Sequence, residues 1–459
     1  MHAQTDSTAR DTSGRILTYG EFMDQIMAYH PIAQRAELLP EQGQALLRKA
    51  RGFFDPYIYG DYVGKRFKGK NYYQKLETGV KVPTWFGIQF FGGYENNAGE
   101  FLNPEADVPD VGLAKAGIEF NLGRGLLIDK RRAELLKAQW YPQITEAERR
   151  IVLNSLVVEA TAAYWKWWVA WHQMEVYDNA VGLAEIRFRG VKQGYLSGDE
   201  PAVDTLESFI QLQTRQFSLN DARVKYAQAA FILSSLLWDD SGVPLVLSDG
   251  VQPPEEPIGS QAPLADSLPE IPDLLLQHPE LLSLEYKQEQ LRVDRRWAAE
   301  RLKPEVAIKA GTFLQPGPET NLGDRPFYED NTVGISVAFP VFIRKARGEL
   351  ALADIEIQNT ELKQEQKAWE LENKVNALLA KIRNTNVQIE LFTSTVDNYQ
   401  GLLDAEVRKF DIGESSLFLI NAREQNLIKA RLTLLQLQGD LPLLNSELYR
   451  ATGGYGTVY

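Results

Sequence analysis

Histidine is the first residue type to test for chemistry, and the sequence has four: His2, His30, His172 and His278. There is no cysteine, and no Cys or His cluster stands at metal-ligand spacing. His30 and His278 each precede a proline, in YHPIAQ and QHPELLS, where an imidazole serves a helix start better than catalysis. Gly123-Arg-Gly125 is a fragment of a phosphate-binding loop, without the later glycine or the strand–helix context. Four methionines are too few for a copper relay. The run YWKWWVAW, Tyr164 to Trp171, could stack an aromatic substrate, but packing in a core explains it more simply. No catalytic residue, no metal and no cofactor is expected, and so no enzyme.

Two short acidic turns are more informative. FDIGESSLFLINARE runs from Phe410 to Glu424, and YLSGDEPAVDTLES from Tyr195 to Ser208. In each, an aromatic is followed three residues later by glycine, then an acid, then an apolar helix. Glycine there permits a positive φ or a crowded reversal between packed helices. Asp199 and Glu414 are placed to cap the helices that follow and to favour their positive ends.

The turns belong to a larger duplication. QIMAYHPIAQ (Gln25–Gln34) pairs with LLLQHPELLS (Leu274–Ser283), and RKARGFFDPYI (Arg48–Ile58) with WAAERLKPEVA (Trp297–Ala307). AGIEFNLGRGLLIDKRRAELLKA (Ala116–Ala138) pairs with VGISVAFPVFIRKARGELALA (Val333–Ala353), and Gly198 with Gly413. The order is the same throughout. The expected organisation is a tail (1–16), a first repeat (17–240), a Pro-rich linker (241–270), a second repeat (271–454) and a tail (455–459). Each repeat reads as helix, strands, very long helix, turn and return helix.

The long helices carry a strict period. Stepping by seven from Ala368 reaches Val375, Ile382, Ile389, Val396, Leu403 and Phe410; three places on lie Leu371, Leu378, Thr385, Phe392, Tyr399 and Glu406. Only Thr385 and Glu406 interrupt the apolar series. Shifted back by 215 residues, the register from Leu153 to Tyr195 is apolar throughout. A seven-residue period held this long predicts a coiled-coil seam. Helices expected over 127–196 and 342–412 would each reach about 105 Å. The shorter stretches 18–52 with 201–238, and 271–303 with 416–450, add end to end to similar lengths. A rod of antiparallel pairs about 100 Å long is the expected shape.

A formal charge of −13 argues against nucleic acid, whose partners carry a basic patch. The absence of cysteine excludes disulfides and cysteine lipidation. The start MHAQTDSTAR lacks the apolar stretch of a signal peptide and reads either as a mature start behind an added Met or as the start of an untargeted cytoplasmic protein. No apolar run is long enough for a membrane-spanning helix, which leaves β-strands as the only means of crossing. Four strands are expected, over 56–67, 117–122, 305–313 and 332–339. Four cannot close a barrel without open edges, so several chains would have to pool theirs in lipid. Residues 71–105, rich in Tyr, Trp and Phe, read either as an aromatic girdle or as an added hairpin.

The duplication, the paired His-Pro steps, the GIEF…RRAEL and GISVAFPVF…GEL segments and the Gly-acid turns together resemble the outer-membrane efflux protein family, the TolC-like channels of tripartite efflux and type I secretion. The likeness runs from about Thr18 to Gly454. It implies a mainly α fold with a small β part: a long antiparallel coiled-coil α-barrel in the periplasm, and a twelve-stranded outer-membrane β-barrel to which three chains give four strands each. It implies a homotrimer, a periplasmic adaptor and an inner-membrane pump as partners, and outer-membrane lipid around the barrel. It places the turns at the periplasmic tip, where Leu196, Gly198, Asp199, Phe410, Gly413, Glu414, Ser415 and Ser416 would dock the adaptor. Asp204 and Glu207 match an acidic gate-lining pattern. The segment SSLFLINA (Ser415–Ala422) lacks the Asp and Arg that relatives often carry after the second tip, so any constriction is expected to be apolar or to come from the first repeat. The rival expectation is a soluble coiled-coil scaffold without channel activity, which would share the seam and need no strands.

Overall fold

The computed structural model describes residues 15–248, 250–255, 268–316 and 330–454. The C-terminal tail, most of the N-terminal tail with His2, and residues 256–267 of the linker lie outside the described residues. The first half gives α1 (Tyr19–Tyr29), α2 (Pro31–Arg51), β1 (Tyr57–Phe67), β2 (Lys70–Pro83), β3 (Ile88–Ala98), β4 (Leu113–Asn121), α3 (Lys130–Ala138), α4 (Tyr141–Ser197) and α5 (Ala202–Ser234). The second half gives α6 (Ile271–Leu276), α7 (Pro279–Glu300), β5 (Glu305–Leu314), β6 (Asn331–Ala338), α8 (Arg344–Asp411) and α9 (Leu417–Ala451). Helix pair, strands, long helix, turn and return helix thus recur in one order.

Each expected opening helix is broken where histidine meets proline. A residue before proline is pushed out of the helical region, and His30 is extended, with φ −66° and ψ 133°. Its Nδ1 accepts the Ile32 N–H at 3.2 Å, and His278 Nδ1 accepts that of Glu280 at 3.3 Å. Both rings cap a helix start, as their spacing suggested. The first long helix is also divided, at Gln139–Trp140 just ahead of Pro142, whereas α8 runs unbroken for 68 residues.

The chain forms two compact units, each drawing on both halves of the sequence: residues up to 38, 147–281 and from 367 onward make one, and 39–146 with 282–366 the other. In the first unit the tryptophan-rich run is core. Tyr164, Trp165, Trp167 and Trp168 are buried with Phe22, Ile26 and Leu233. Tyr164 Oη donates to the Leu17 carbonyl and Trp168 Nε1 to that of Pro254. Every position of the second-half seam from Ala368 to Phe410 is buried or half-buried, Thr385 and Glu406 included.

The second unit holds one antiparallel sheet in the order β1-β2-β3-β4-β5-β6. The expectation of four strands per chain is corrected to six. Residues 70–98 supply β2 and β3, so the aromatic-rich stretch contains an added hairpin. Gly79, Gly92 and Gly93 obscured it, because glycine inside an alternating run reads as a turn or bulge. Here glycine clears space for rings. A Cβ on Gly79 would lie 2.5 Å from the Gly92 carbonyl oxygen and 2.8 Å from Tyr59 Oη, and one on Gly117 would strike the Ala310 carbonyl oxygen and lie 2.6 Å from Phe91 Cζ.

Cross-strand partners share a face, so the register sorts the sheet. Ile58 and Val80 are partners, as are Tyr62 and Leu76, Phe90 and Ile118, Phe120 and Ile308, and Ile308 and Ile335. Val333 and Val337 complete this apolar face, on which Ile58 is 80% exposed and Ile335 67%. On the other face lie Asp61, Glu77 and Glu95 in one row and Glu119 with Lys309 in another. Lys115 joins them, its Nζ 2.5 Å from Glu77 and 3.6 Å from Glu95. One face suits hydrocarbon and the other water, the alternation of a membrane-spanning sheet.

Candidate functional site

Both helix reversals use one device, and both belong to the first unit. At the end of α4, the Asp199 N–H donates to the Gly194 carbonyl at 2.9 Å and that of Gly198 to Tyr195 at 3.1 Å. At the end of α8, the Glu414 N–H donates to Lys409 at 2.8 Å and that of Gly413 to Phe410 at 2.9 Å. This is the Schellman closure, which satisfies the last carbonyls of a helix and needs a left-handed residue at the bend. Gly198 has φ +86° and Gly413 φ +80°. An added Cβ would meet nothing within 4 Å at either position, so backbone conformation and not crowding demands glycine.

The acids after these glycines do not cap the return helices, contrary to expectation. Pro201 is the N-cap residue of α5 and makes no side-chain cap bond. Ser416 caps α9, its Oγ accepting the Leu419 N–H. The extra residues between glycine and helix leave Asp199 and Glu414 two residues short of the capping position, and both are exposed. Leu196 is exposed, as are Gly198, Gly413 and Ser416. Ser415 is half-buried. Phe410 is half-buried against the core cluster of Leu403, Ile420 and Leu427, so it supports its turn from beneath. Val203 and Leu206 near the first turn, and Ile412 and Phe418 near the second, are also exposed, giving the turns an apolar rim with acidic points.

Behind this rim is a polar network that sequence reasoning missed. Arg187 on α4 donates from Nη1 to Glu424 Oε2 at 2.8 Å and to Asn421 Oδ1 at 3.1 Å, both on α9. Asn421 Nδ2 in turn reaches Glu207 Oε1 on α5 at 3.4 Å. Glu207 therefore joins three helices, while Asp204 pairs with Glu200. Desolvation and the neighbouring Asp204 push the Glu200 carboxyl up. A second network braces the other turn. Ser415 Oγ donates to Glu406 Oε1 at 2.6 Å, and Arg423 Nε to Glu406 Oε2 at 3.4 Å. The Ser415 bond, aided by Arg423, holds the Glu406 carboxyl below its ordinary value.

Charge nonetheless stands close to the second turn. The stretch Ser415–Ala422 is uncharged, but Arg423 and Glu424 follow at once, on the next turn of α9. One signal was available: Glu406 breaks the apolar seam, and a buried carboxylate there requires partners. No group of His, Asp or Glu able to hold a metal occurs among the described residues.

Residues 271–454 match the model of the outer membrane efflux protein family. Among curated protein sequences none matches the chain. Among solved structures, the chain is similar to the CmeC outer membrane channel of Campylobacter jejuni, with a TM-score of 0.67 at 13% identity, covering 95% of this chain and 85% of that one. It is similar to the open state of the MtrE outer membrane channel of Neisseria gonorrhoeae, with a TM-score of 0.67 at 15% identity over 98% and 94% of the two chains. The outer membrane protein VceC of Vibrio cholerae gives 0.65 at 14% identity over 95% and 96%. The resemblance drawn from the repeated motifs holds, and the fold is that of the TolC-like channels, mainly helical with a smaller sheet.

Proposed function

We propose that the protein is a passive outer-membrane channel of a tripartite efflux or type I secretion system, working as a homotrimer. An inner-membrane pump and a periplasmic adaptor deliver the substrate, and the chain conducts it outward without bond chemistry. Two tandem repeats, 17–240 and 271–454, joined by the linker 241–270, build each subunit, with the helices in the periplasm and the strands in outer-membrane lipid. The observation that carries this reading is the two-faced sheet, with Ile58, Phe90 and Ile335 on one side and Asp61, Glu77 and Lys115 on the other. A water-soluble scaffold has no use for an apolar face left exposed on a sheet.

The adaptor docks on the two turns, through Leu196, Gly198, Asp199, Gly413, Glu414, Ser415 and Ser416, with Phe410 supporting them. The family match and the shared fold support this assignment, as does the apolar rim beside both turns. The ties from Arg187 to Glu424 and Asn421, and from Asn421 to Glu207, brace α4, α5 and α9 behind these docking residues. Purified protein should require detergent, run as a trimer and conduct ions in planar bilayers. Protein that stays monodisperse without detergent and never conducts would favour the scaffold and overturn the channel.

A further inference from the structure

We infer that each copy contributes a wall six strands wide, so that three copies enclose eighteen strands, β6 of one copy pairing antiparallel with β1 of the next. The inference rests on the trimeric channel proposed above and departs from the twelve strands expected of it.

The hairpin β2–β3 spans the same height as its neighbours. Its register sets Tyr57 beside Lys81, Ile88 beside Phe120 and Asn121 beside Ala307, so the turn between β2 and β3 lies at the end where the strands meet the helices. Arg131 on α3 confirms that level, donating to Gln89 Oε1 at 3.2 Å. β2 has 14 residues and β3 has 11, and a tilted strand needs about 9–11 to cross hydrocarbon. The hairpin also continues both faces of the sheet. Leu76, Val80 and Phe90 extend the apolar side, whereas Lys75, Glu77 and Glu95 extend the polar side. Folded away from the wall, Val80 and Phe90 would face water.

The edges say what completes the sheet. Among the described residues no strand pairs with the outer side of β1 or of β6. In a six-strand meander these two run in opposite directions, so copy-to-copy pairing is antiparallel, like every other pair in the sheet. Six strands cannot close on themselves: with 4.8 Å spacing and a tilt near 40°, the backbone radius would be about 6 Å. That leaves no room for the inward Tyr59, Phe91 and Lys115. Eighteen strands give a backbone diameter of roughly 36 Å, against roughly 24 Å for twelve.

The chain has no cysteine, so single cysteines report cleanly. Full-length Val80→Cys, Phe90→Cys, Lys75→Cys, Ile118→Cys and Ile335→Cys, each labelled with a fluorophore, are reconstituted in vesicles containing nitroxide-labelled lipid. Quenching at Val80 and Phe90 should equal that at Ile118 and Ile335 and exceed that at Lys75 several-fold. Quenching at Ile118 and Ile335 without quenching at Val80 and Phe90 would put the hairpin outside the wall and overturn the proposal alone. Quenching at none of the four would overturn the channel reading as well. Electron cryo-microscopy of the unlabelled protein in nanodiscs gives the direct count, eighteen strands expected and twelve fatal.

Discussion

Arg187 on α4 and Glu424 on α9 meet at 2.8 Å, with only 5% of the Glu424 side chain exposed. A carboxylate this deep is tolerable only when paired, so the ion pair decides whether the start of α9 stays seated. Its partner Asn421 extends the link to Glu207, which makes the first turns of α5 and α9 depend on one another.

Arg187→Ala should therefore loosen α9 more than a surface change would. Stranding a buried carboxylate costs about 3 kcal/mol, which corresponds to amide exchange faster by roughly a hundredfold where the helix opens locally. Hydrogen exchange over 417–427 measures this. The double change Arg187→Ala with Glu424→Ala should recover most of the protection, since no charge is left unpaired. Equal protection in Arg187→Ala and the unaltered protein would show that the pair carries nothing.

The histidine caps predict a pH dependence. Burial holds the imidazoles of His30 and His278 below the ordinary value of 6.5. The unfolded chain therefore binds protons at higher pH than the folded one. Stability is full above about pH 6.5 and falls as the pH drops from there towards the lowered folded values. Thermal melts from pH 7.5 to 5.5 should show this decline. His30→Asn with His278→Asn keeps an acceptor for the capped N–H and removes the titration, so its profile should be flatter. An undiminished slope in that variant would assign the acid sensitivity elsewhere.

At the turns, conformation and space make separable demands. Gly413→Ala should cost about 1–2 kcal/mol, the penalty of a left-handed φ for a residue with a Cβ. Gly413→Asn should cost less, because asparagine tolerates that region. Gly439, inside α9, reverses the order of causes. Its φ is ordinary, but an added Cβ would strike Val169 Cγ2 on α4, so the cost of Gly439→Leu comes from overpacking. Denaturation midpoints for the three variants distinguish the two mechanisms, and Asn faring worse than Ala at 413 would refute the first.

Much of this was legible because it repeats. The seam could be counted from Leu153 to Tyr195 and again from Ala368 to Phe410, the His-Pro steps marked two helix starts, and the paired glycines marked two reversals. Each is a local rule that tertiary context did not override. The hairpin of residues 70–98 was half legible, since its alternation is real but Gly79 and Gly93 make room for Tyr59 instead of turning the chain. Arg187 and Glu424 were not legible as a pair. They lie 237 residues apart, and only the approach of α4 to α9 makes them neighbours. Glu406 was legible as an anomaly, a carboxylate where the seam asks for an apolar side chain, but its partners Ser415 and Arg423 come from across the turn.

The seam itself gives the sharpest contrast between neighbouring residues. Val375 is 1% exposed and packs in a cluster with Leu378, Ile382, Leu444 and Leu448, which joins α8 to α9. Among the described residues no cation pairs with a group in that cluster, so Val375→Asp must either bury an unpaired charge or bind a proton to avoid it. Either route costs about 4 kcal/mol or more, a large share of the stability of an ordinary folded unit. Asn376 is the next residue on the same helix and is exposed, so Asn376→Asp should shift stability by less than about 0.5 kcal/mol. Because the two variants share the same net-charge change, a general effect of acidity would move both. Denaturant titration and size-exclusion chromatography of the detergent-solubilised protein should show Val375→Asp destabilised and failing to assemble the proposed trimer while Asn376→Asp is unaltered. A trimer of normal stability carrying Asp at 375 would mean that the seven-residue register is misassigned.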